Sequence, residues 1–246
     1  MNQPESDQCF QQPDRERVLA LVPWKIRDVA IASAIPFGFI IIALVAGLVV
    51  DVGDAVEADA TIPPWAIFIF QAVLLGLAWF FGIRKYNVPW STLGLRPSKG
   101  RWGPLLPWAA LLASLAVTLV YAQIVTLIGA DFLEPRQEIG AALGEGRTLI
   151  LNTLVIGVWG PFTEEIFFRG FVLAAMLPVM GPIKAMILSA GIFAFAHFDI
   201  GILIPIFVTG LLLAWLYIKT KSLWPPITAH AAQNLLALAL STQALK

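Results

Sequence analysis

The stretch from Val29 to Val50 carries no charged side chain and is long enough, at about 1.5 Å of helical rise per residue, to exceed the roughly 30 Å hydrocarbon core of a bilayer. Further apolar stretches run from Trp65 to Ile83, Leu105 to Ile128, Leu149 to Leu177, Ile183 to His197, Ile202 to Ile218 and Trp224 to Leu240. Backbone amides in lipid have no water to bond, so they must be satisfied within the segment, and open strands cannot do this. The expectation is an all-α, polytopic membrane bundle of about seven transmembrane helices, the fifth span being short. Composition agrees: 59% of residues are hydrophobic and 13% charged, against about 25% charged in an ordinary soluble domain.

Lys and Arg set the expected orientation. Arg15, Arg17, Lys25 and Arg27 precede the first span, and Arg84, Lys85, Arg96, Lys99 and Arg101 fill the second loop. The first loop is acidic, with Asp51, Asp54, Glu57 and Asp59, and the third carries Asp131, Glu134, Glu138 and Glu145 against Arg136 and Arg147. This bias puts the amino terminus in the cytoplasm of a multi-pass protein, the plasma (inner) membrane being the expected location. The polar first residues do not resemble a cleavable signal peptide. We expect a polar tail over 1–25 and one integral membrane domain over 26–246. The lone cysteine, Cys9, excludes an intramolecular disulfide, and a formal net charge of zero gives no reason to expect nucleic acid as a partner.

Ionisable groups inside spans mark functional sites, because each costs at least about 2.5 to 3.5 kcal/mol near the midplane unless partners or water offset it. The fourth span contains Pro161-Phe162-Thr163-Glu164-Glu165-Ile166-Phe167-Phe168-Arg169-Gly170. Helical spacing puts Arg169 over Glu165, one turn away, so these two can pair. Glu164 points about 100° away around the helix, without that arginine. A carboxylate in low dielectric beside another negative charge is poised as a base near neutral pH.

The only two histidines of the chain, His197 and His230, both lie in apolar spans. Phe193 shares a face with His197, and His230 shares one with Asn234. Together these residues form a catalytic kit in which Glu164 and His197 hold and deprotonate a water while His230 and Asn234 bind a tetrahedral oxyanion. Purely structural roles compete with this, as an interhelical His–Asn pair or carboxylates that tie helices together through Arg169. Metal chemistry competes as well: Glu164, His197 and His230 would be the ligands of Zn2+ or another divalent ion with water in the fourth position. No His-Glu-x-x-His helix is present, and a glutamate-type site would need no cofactor.

Glu-Glu-x-x-x-Arg at 164–169, Phe-x-x-x-His at 193–197 and His-x-x-x-Asn at 230–234, with Gly210-Leu211 and Ser222-Leu223-Trp224-Pro225-Pro226 between them, resemble the CPBP family of intramembrane proteases. That family includes type II CAAX prenyl endopeptidases and Abi-type bacteriocin-processing and immunity proteins. The resemblance spans about 149–240. It implies an intramembrane endopeptidase acting near the membrane surface on a CAAX-type or leader-type peptide or a membrane-protein substrate, prenylated in the CAAX case. It also implies a helical bundle around a polar cavity, with Glu164 as general base, Glu165 and Arg169 in support, His197 on the water, and His230 and Asn234 at the oxyanion. A noncatalytic membrane scaffold or immunity factor is the alternative that the same family implies. A proton-coupled transporter is a third, without the inverted repeat that would favour it.

One difficulty follows from simple counting. His230 lies close to the cytoplasmic end of its span and His197 far from its own, so kinked or re-entrant spans are needed to level them.

Overall fold

The computed structural model describes residues 22–49, 63–98, 103–134 and 143–243. Most of the polar tail with Cys9, the acidic first loop, Lys99, Arg101, Arg136 and Glu138 lie outside the described residues. Among the described residues six long helices follow one another: α1 (Ile26–Val49), α2 (Pro64–Arg84), α3 (Leu106–Ile128), α4 (Gly146–Phe195), α5 (Ile200–Thr220) and α6 (Trp224–Gln243). The described residues contain no strand, as expected for backbone immersed in lipid. Four of the helices, α2 to α5, are long and apolar enough to cross a membrane by length and composition, against the seven spans read from the sequence.

Helix α4 accounts for part of that difference, because it is a hairpin. Gly181 takes φ 75° and ψ 172° in its middle, between Pro178 and Pro182. Glycine tolerates that backbone geometry, and a following proline disfavours helical dihedrals at the residue before it. The two arms then fold back on each other. The rings of Phe168 and Phe193 meet edge to face at 5.1 Å, and the Ser189 hydroxyl donates to the Phe168 carbonyl at 3.3 Å. A straight helix would part these two phenylalanines by roughly 37 Å. Two of the expected spans, 149–177 and 183–197, are therefore the two arms. The second arm, 182–195, extends only roughly 20 Å, short of the hydrocarbon thickness.

The first arm forms the centre of the bundle, every residue from 165 to 177 being buried. Helix α3 sits at the periphery, with Leu112, Leu119 and Leu127 exposed, the faces expected to meet lipid. Close packing around the central arm fixes the depth of α6. A Cβ built on Gly170 would stand 2.7 Å from the Leu93 carbonyl and 3.2 Å from Leu223, so only glycine allows this approach. The 94–96 loop is laced to the turn before α6. The Leu223 amide donates to the Gly94 carbonyl at 2.8 Å and Arg96 Nε to the Lys221 carbonyl at 2.6 Å.

These contacts resolve the counting difficulty. Gly170 is level with Leu223, at the entry to α6, so the hairpin tip at Gly181 overshoots the start of α6 by about three turns. His230, two turns into α6, thereby comes level with Glu165. Glu165 and His197 lie at equal distances along the chain on either side of Gly181, so the returning arm brings His197 back to the same depth.

Candidate active site

Glu165, fully buried, is the hub of the site. Its Oε1 accepts from Arg169 Nη1 at 2.7 Å, one turn along the same helix, and from His230 Nδ1 at 2.8 Å on α6. Arg169 is also fully buried, with Nη2 donating to the Gly210 carbonyl of α5 at 3.3 Å and the guanidinium 4.2 Å from the centre of the Phe193 ring. One ion pair thus ties the central arm to α5, α6 and the second arm. A carboxylate can only accept, so the proton between it and His230 belongs to Nδ1, and the imidazole is fixed with Nε2 pointing the other way. Nε2 lies 3.8 Å from Glu164 Oε2.

Glu164 occupies a different setting from its neighbour. It is partly exposed, and its Oε1 accepts from Gln71 Nε2 on α2 at 2.7 Å. Gln71 Oε1 in turn accepts from the Thr163 hydroxyl at 2.7 Å. Glu164 also lines a cavity of about 90 Å³ with His197, walled by Pro36, Phe37, Phe70 and Phe168 among others. That volume admits water, and the two polar residues on its wall would hold it. His197 Nδ1 faces the Phe193 carbonyl at 2.8 Å. A carbonyl only accepts, so Nδ1 carries the hydrogen and Nε2 keeps a lone pair. Phe193 lies between the two imidazoles, 4.9 Å from His197 and 5.6 Å from His230, ring centre to ring centre.

Asn234 serves the backbone. Helix α4 widens to π geometry at Val155–Trp159 and again at Ile166–Leu173, bracketing the glutamate pair. In a π turn the Ile156 carbonyl would take its hydrogen bond five residues on, from Pro161, which has no N–H. Asn234 Nδ2 supplies the missing donor at 3.0 Å. Its second amide hydrogen has no role in that bond.

All six residues singled out in the sequence, Glu164, Glu165, Arg169, His197, His230 and Asn234, are thus placed on the central arm or on elements packed against it. Glu165–Arg169 pair as their spacing implied, and Glu164 stands apart as its angle implied. Two participants escaped the sequence reading, Gln71 and Thr163. Gln71 had a signal: it is the lone amide side chain in an otherwise apolar span, where a polar group calls for a partner. Both imidazoles present Nε2 with Nδ1 tied to an acceptor, as metal-ligating histidines do. As placed, however, no three His, Cys, Asp or Glu side chains among the described residues gather into a metal-binding group. The chemistry below is therefore derived from the side chains alone.

Comparison with known proteins bears on the same stretch. Residues 146–236 match the family described as "Type II CAAX prenyl endopeptidase Rce1-like". Over that stretch the chain is similar to the CPBP family. A Bacillus subtilis relative named "Putative membrane peptidase YdiL" is 34% identical over 84 residues, 34% of each protein. A Staphylococcus aureus relative named "Membrane-embedded CAAX protease MroQ" is 26% identical over 141 residues, 53% of this chain and 56% of that protein. The alignments thus span about a third and about half of these relatives' lengths. No solved structure matches. The matched family region contains Glu164, Glu165, Arg169, His197, His230 and Asn234, whereas Gln71 lies outside it. Apolar helices and membrane relatives together make this chain an integral membrane protein.

Proposed function

We propose that the protein is an intramembrane endopeptidase that hydrolyses a peptide bond with a water activated by Glu164. One observation carries the reading: Glu165 orients His230 so that Nε2 faces Glu164 Oε2, while Glu164 and His197 wall the same cavity. Glu164 Oε2 takes a proton from the water, whose oxygen bonds to the carbonyl carbon of the substrate. His197 Nε2 accepts the water's other hydrogen and holds its angle of approach. His230 acts as an imidazolium, its Nδ1–H held by Glu165 and its Nε2–H donated to the oxyanion, and Arg169 with Glu165 keeps its ring in place. The carbon–nitrogen bond then breaks as Glu164 returns its proton to the leaving amine. No side-chain nucleophile and no metal enters these steps.

The substrate would be a CAAX-type or leader-type segment, or a membrane protein, presented at the surface of the plasma membrane, with the amino terminus of the enzyme in the cytoplasm. The apolar walls formed by Phe37, Phe70 and Phe168 suit aliphatic or aromatic residues beside the cleaved bond. Purified protein in detergent, incubated with a peptide library and read by mass spectrometry, tests the reading. Wild type should cleave a subset of peptides. Glu164→Ala and His197→Ala should each lose cleavage while keeping the wild-type thermal midpoint within a few degrees. Cleavage that persists unchanged in both variants would overturn it.

A further inference from the structure

We infer that Gln71 is a positioning residue for Glu164: by donating to Oε1 it confines the moving proton to Oε2, the oxygen that faces His230. This rests on the proposed hydrolytic role of Glu164. It adds an element from outside the matched family region, from α2.

The geometry is specific about which oxygen is free. Gln71 Nε2 sits 2.7 Å from Oε1, while Oε2 is the atom near His230 Nε2 at 3.8 Å. An amide N–H pointing at Oε1 disfavours a proton there, because it occupies one of that oxygen's two lone pairs and bonds best to the unprotonated, carbonyl-like oxygen. Oε1 accepts from the amide whether the carboxyl is ionised or protonated on Oε2, so the same contact survives both halves of a catalytic cycle. Base and acid steps thereby use one oxygen, in one place.

The amide has an alternative orientation, and its surroundings select between the two. Turned over, it would place Oε1 of Gln71 against a carboxylate that can only accept, two negative oxygens at contact. The Thr163 hydroxyl adds to the preference by donating to Gln71 Oε1 at 2.7 Å, and that hydroxyl also lies within 3.1 Å of the Trp159 carbonyl and 3.0 Å of the Gly160 carbonyl. Gln71 is itself buried at 7% exposure, and a Cβ built on Gly160 would stand 3.3 Å from its Nε2. The side chain has little room to serve any other partner. A glutamine placed only to join two helices would need no particular oxygen of Glu164.

The test compares the pH dependence of peptide cleavage in wild type, Gln71→Leu, Gln71→Glu and Thr163→Val. Losing the donor disfavours the ionised carboxylate, so the acidic limb of the Gln71→Leu profile should move to higher pH by about one unit. The maximal kcat should fall roughly tenfold, with KM changing less than threefold. Gln71→Glu, which sets a second acceptor against Oε1, should move the limb further. Thr163→Val, which frees the amide to turn, should move it in the same direction by less, and it decides the matter if Gln71→Leu does not fold. Profiles of Gln71→Leu or Thr163→Val that superimpose on wild type after scaling would overturn the inference.

An infrared pH titration of the Glu164 carboxyl band, assigned by its loss in Glu164→Gln, gives a readout independent of turnover. If wild type cleaves nothing, the hydrolytic reading fails. The band still reports whether Gln71→Leu or Thr163→Val displaces the titration of Glu164, and an undisplaced band overturns the link to Gln71.

Discussion

His230 donates from Nδ1 to Glu165 at 2.8 Å, not to the neighbouring Glu164, and this choice divides the tandem glutamates into two jobs. Glu165 is buried, paired with Arg169 and unavailable to water; Glu164 is partly exposed and lines the cavity. Adjacent identical residues differ in role because a helix turns about 100° between them.

Glu165→Gln retains an acceptor for His230 but removes the charge that orients it. We expect kcat to fall roughly 10²- to 10⁴-fold, the range for impaired acid–base groups, with KM little changed. Steady-state kinetics on any peptide cleaved by the wild type would check this, and a kcat within threefold of wild type would contradict it.

Arg169→Met should destabilise severely, because it strands the Glu165 carboxylate in the core. Breaking one side of a buried pair costs about 3–5 kcal/mol. The double variant Glu165→Gln/Arg169→Met should recover most of the thermal midpoint in detergent without recovering activity. A single variant as stable as wild type would show that the pair does not hold the bundle.

Asn234→Leu tests the repair of the helix at Pro161. Removing the Nδ2 donor leaves the Ile156 carbonyl unpaired, a cost of about 1–3 kcal/mol. The loss should be smaller in the double variant Pro161→Ala/Asn234→Leu, where residue 161 regains its N–H. Equal losses in both backgrounds would mean that the two positions are uncoupled.

A second polar cluster joins α1 to the end of α2 and should shape stability against pH. Burial would raise the Asp28 pKa, but hydrogen bonds from Lys85, from Tyr86 and from the Lys25 amide outweigh it and hold the carboxyl at about 2. The hydrogen bond to Asp28 in turn raises Lys85 and Tyr86 above their ordinary values. The Asp28 contribution is therefore present above about pH 4 and lost as pH falls toward about 2. The Lys85 and Tyr86 contributions are present below about pH 10 and lost above it. At pH 7 Asp28→Asn should lower stability by about 2 kcal/mol, and the difference from wild type should close toward pH 2. A difference that stays constant across that range would contradict the assignment.

Much of the fold and of the candidate site was legible in the sequence for a simple reason: charge in lipid must be matched. Glu164, Glu165, Arg169, His197 and His230 stood out because each interrupts an apolar span, and helical angle alone separated the two glutamates. What stayed hidden depends on backbone geometry that side-chain pattern does not encode. The π turns at Val155–Trp159 and Ile166–Leu173 change the register of the central arm, and the overshoot of the hairpin tip at Gly181 levels residues that counting puts at different depths. Gln71 was passed over for another cause. An uncharged amide looks tolerable in a span until its partners, Glu164 and Thr163, are seen across the helix interface.

The central proposal is that Glu164, served by His197 and His230, activates water with the side chains alone supplying the chemistry. Its most direct test is peptide cleavage by purified protein in detergent, wild type beside Glu164→Gln, each with and without prior treatment by a strong chelator. We expect wild-type cleavage to persist within twofold after chelation and to drop at least 10³-fold in Glu164→Gln, with both proteins folded. Cleavage abolished by the chelator and restored by added Zn2+, or a Glu164→Gln protein as active as wild type, would contradict it.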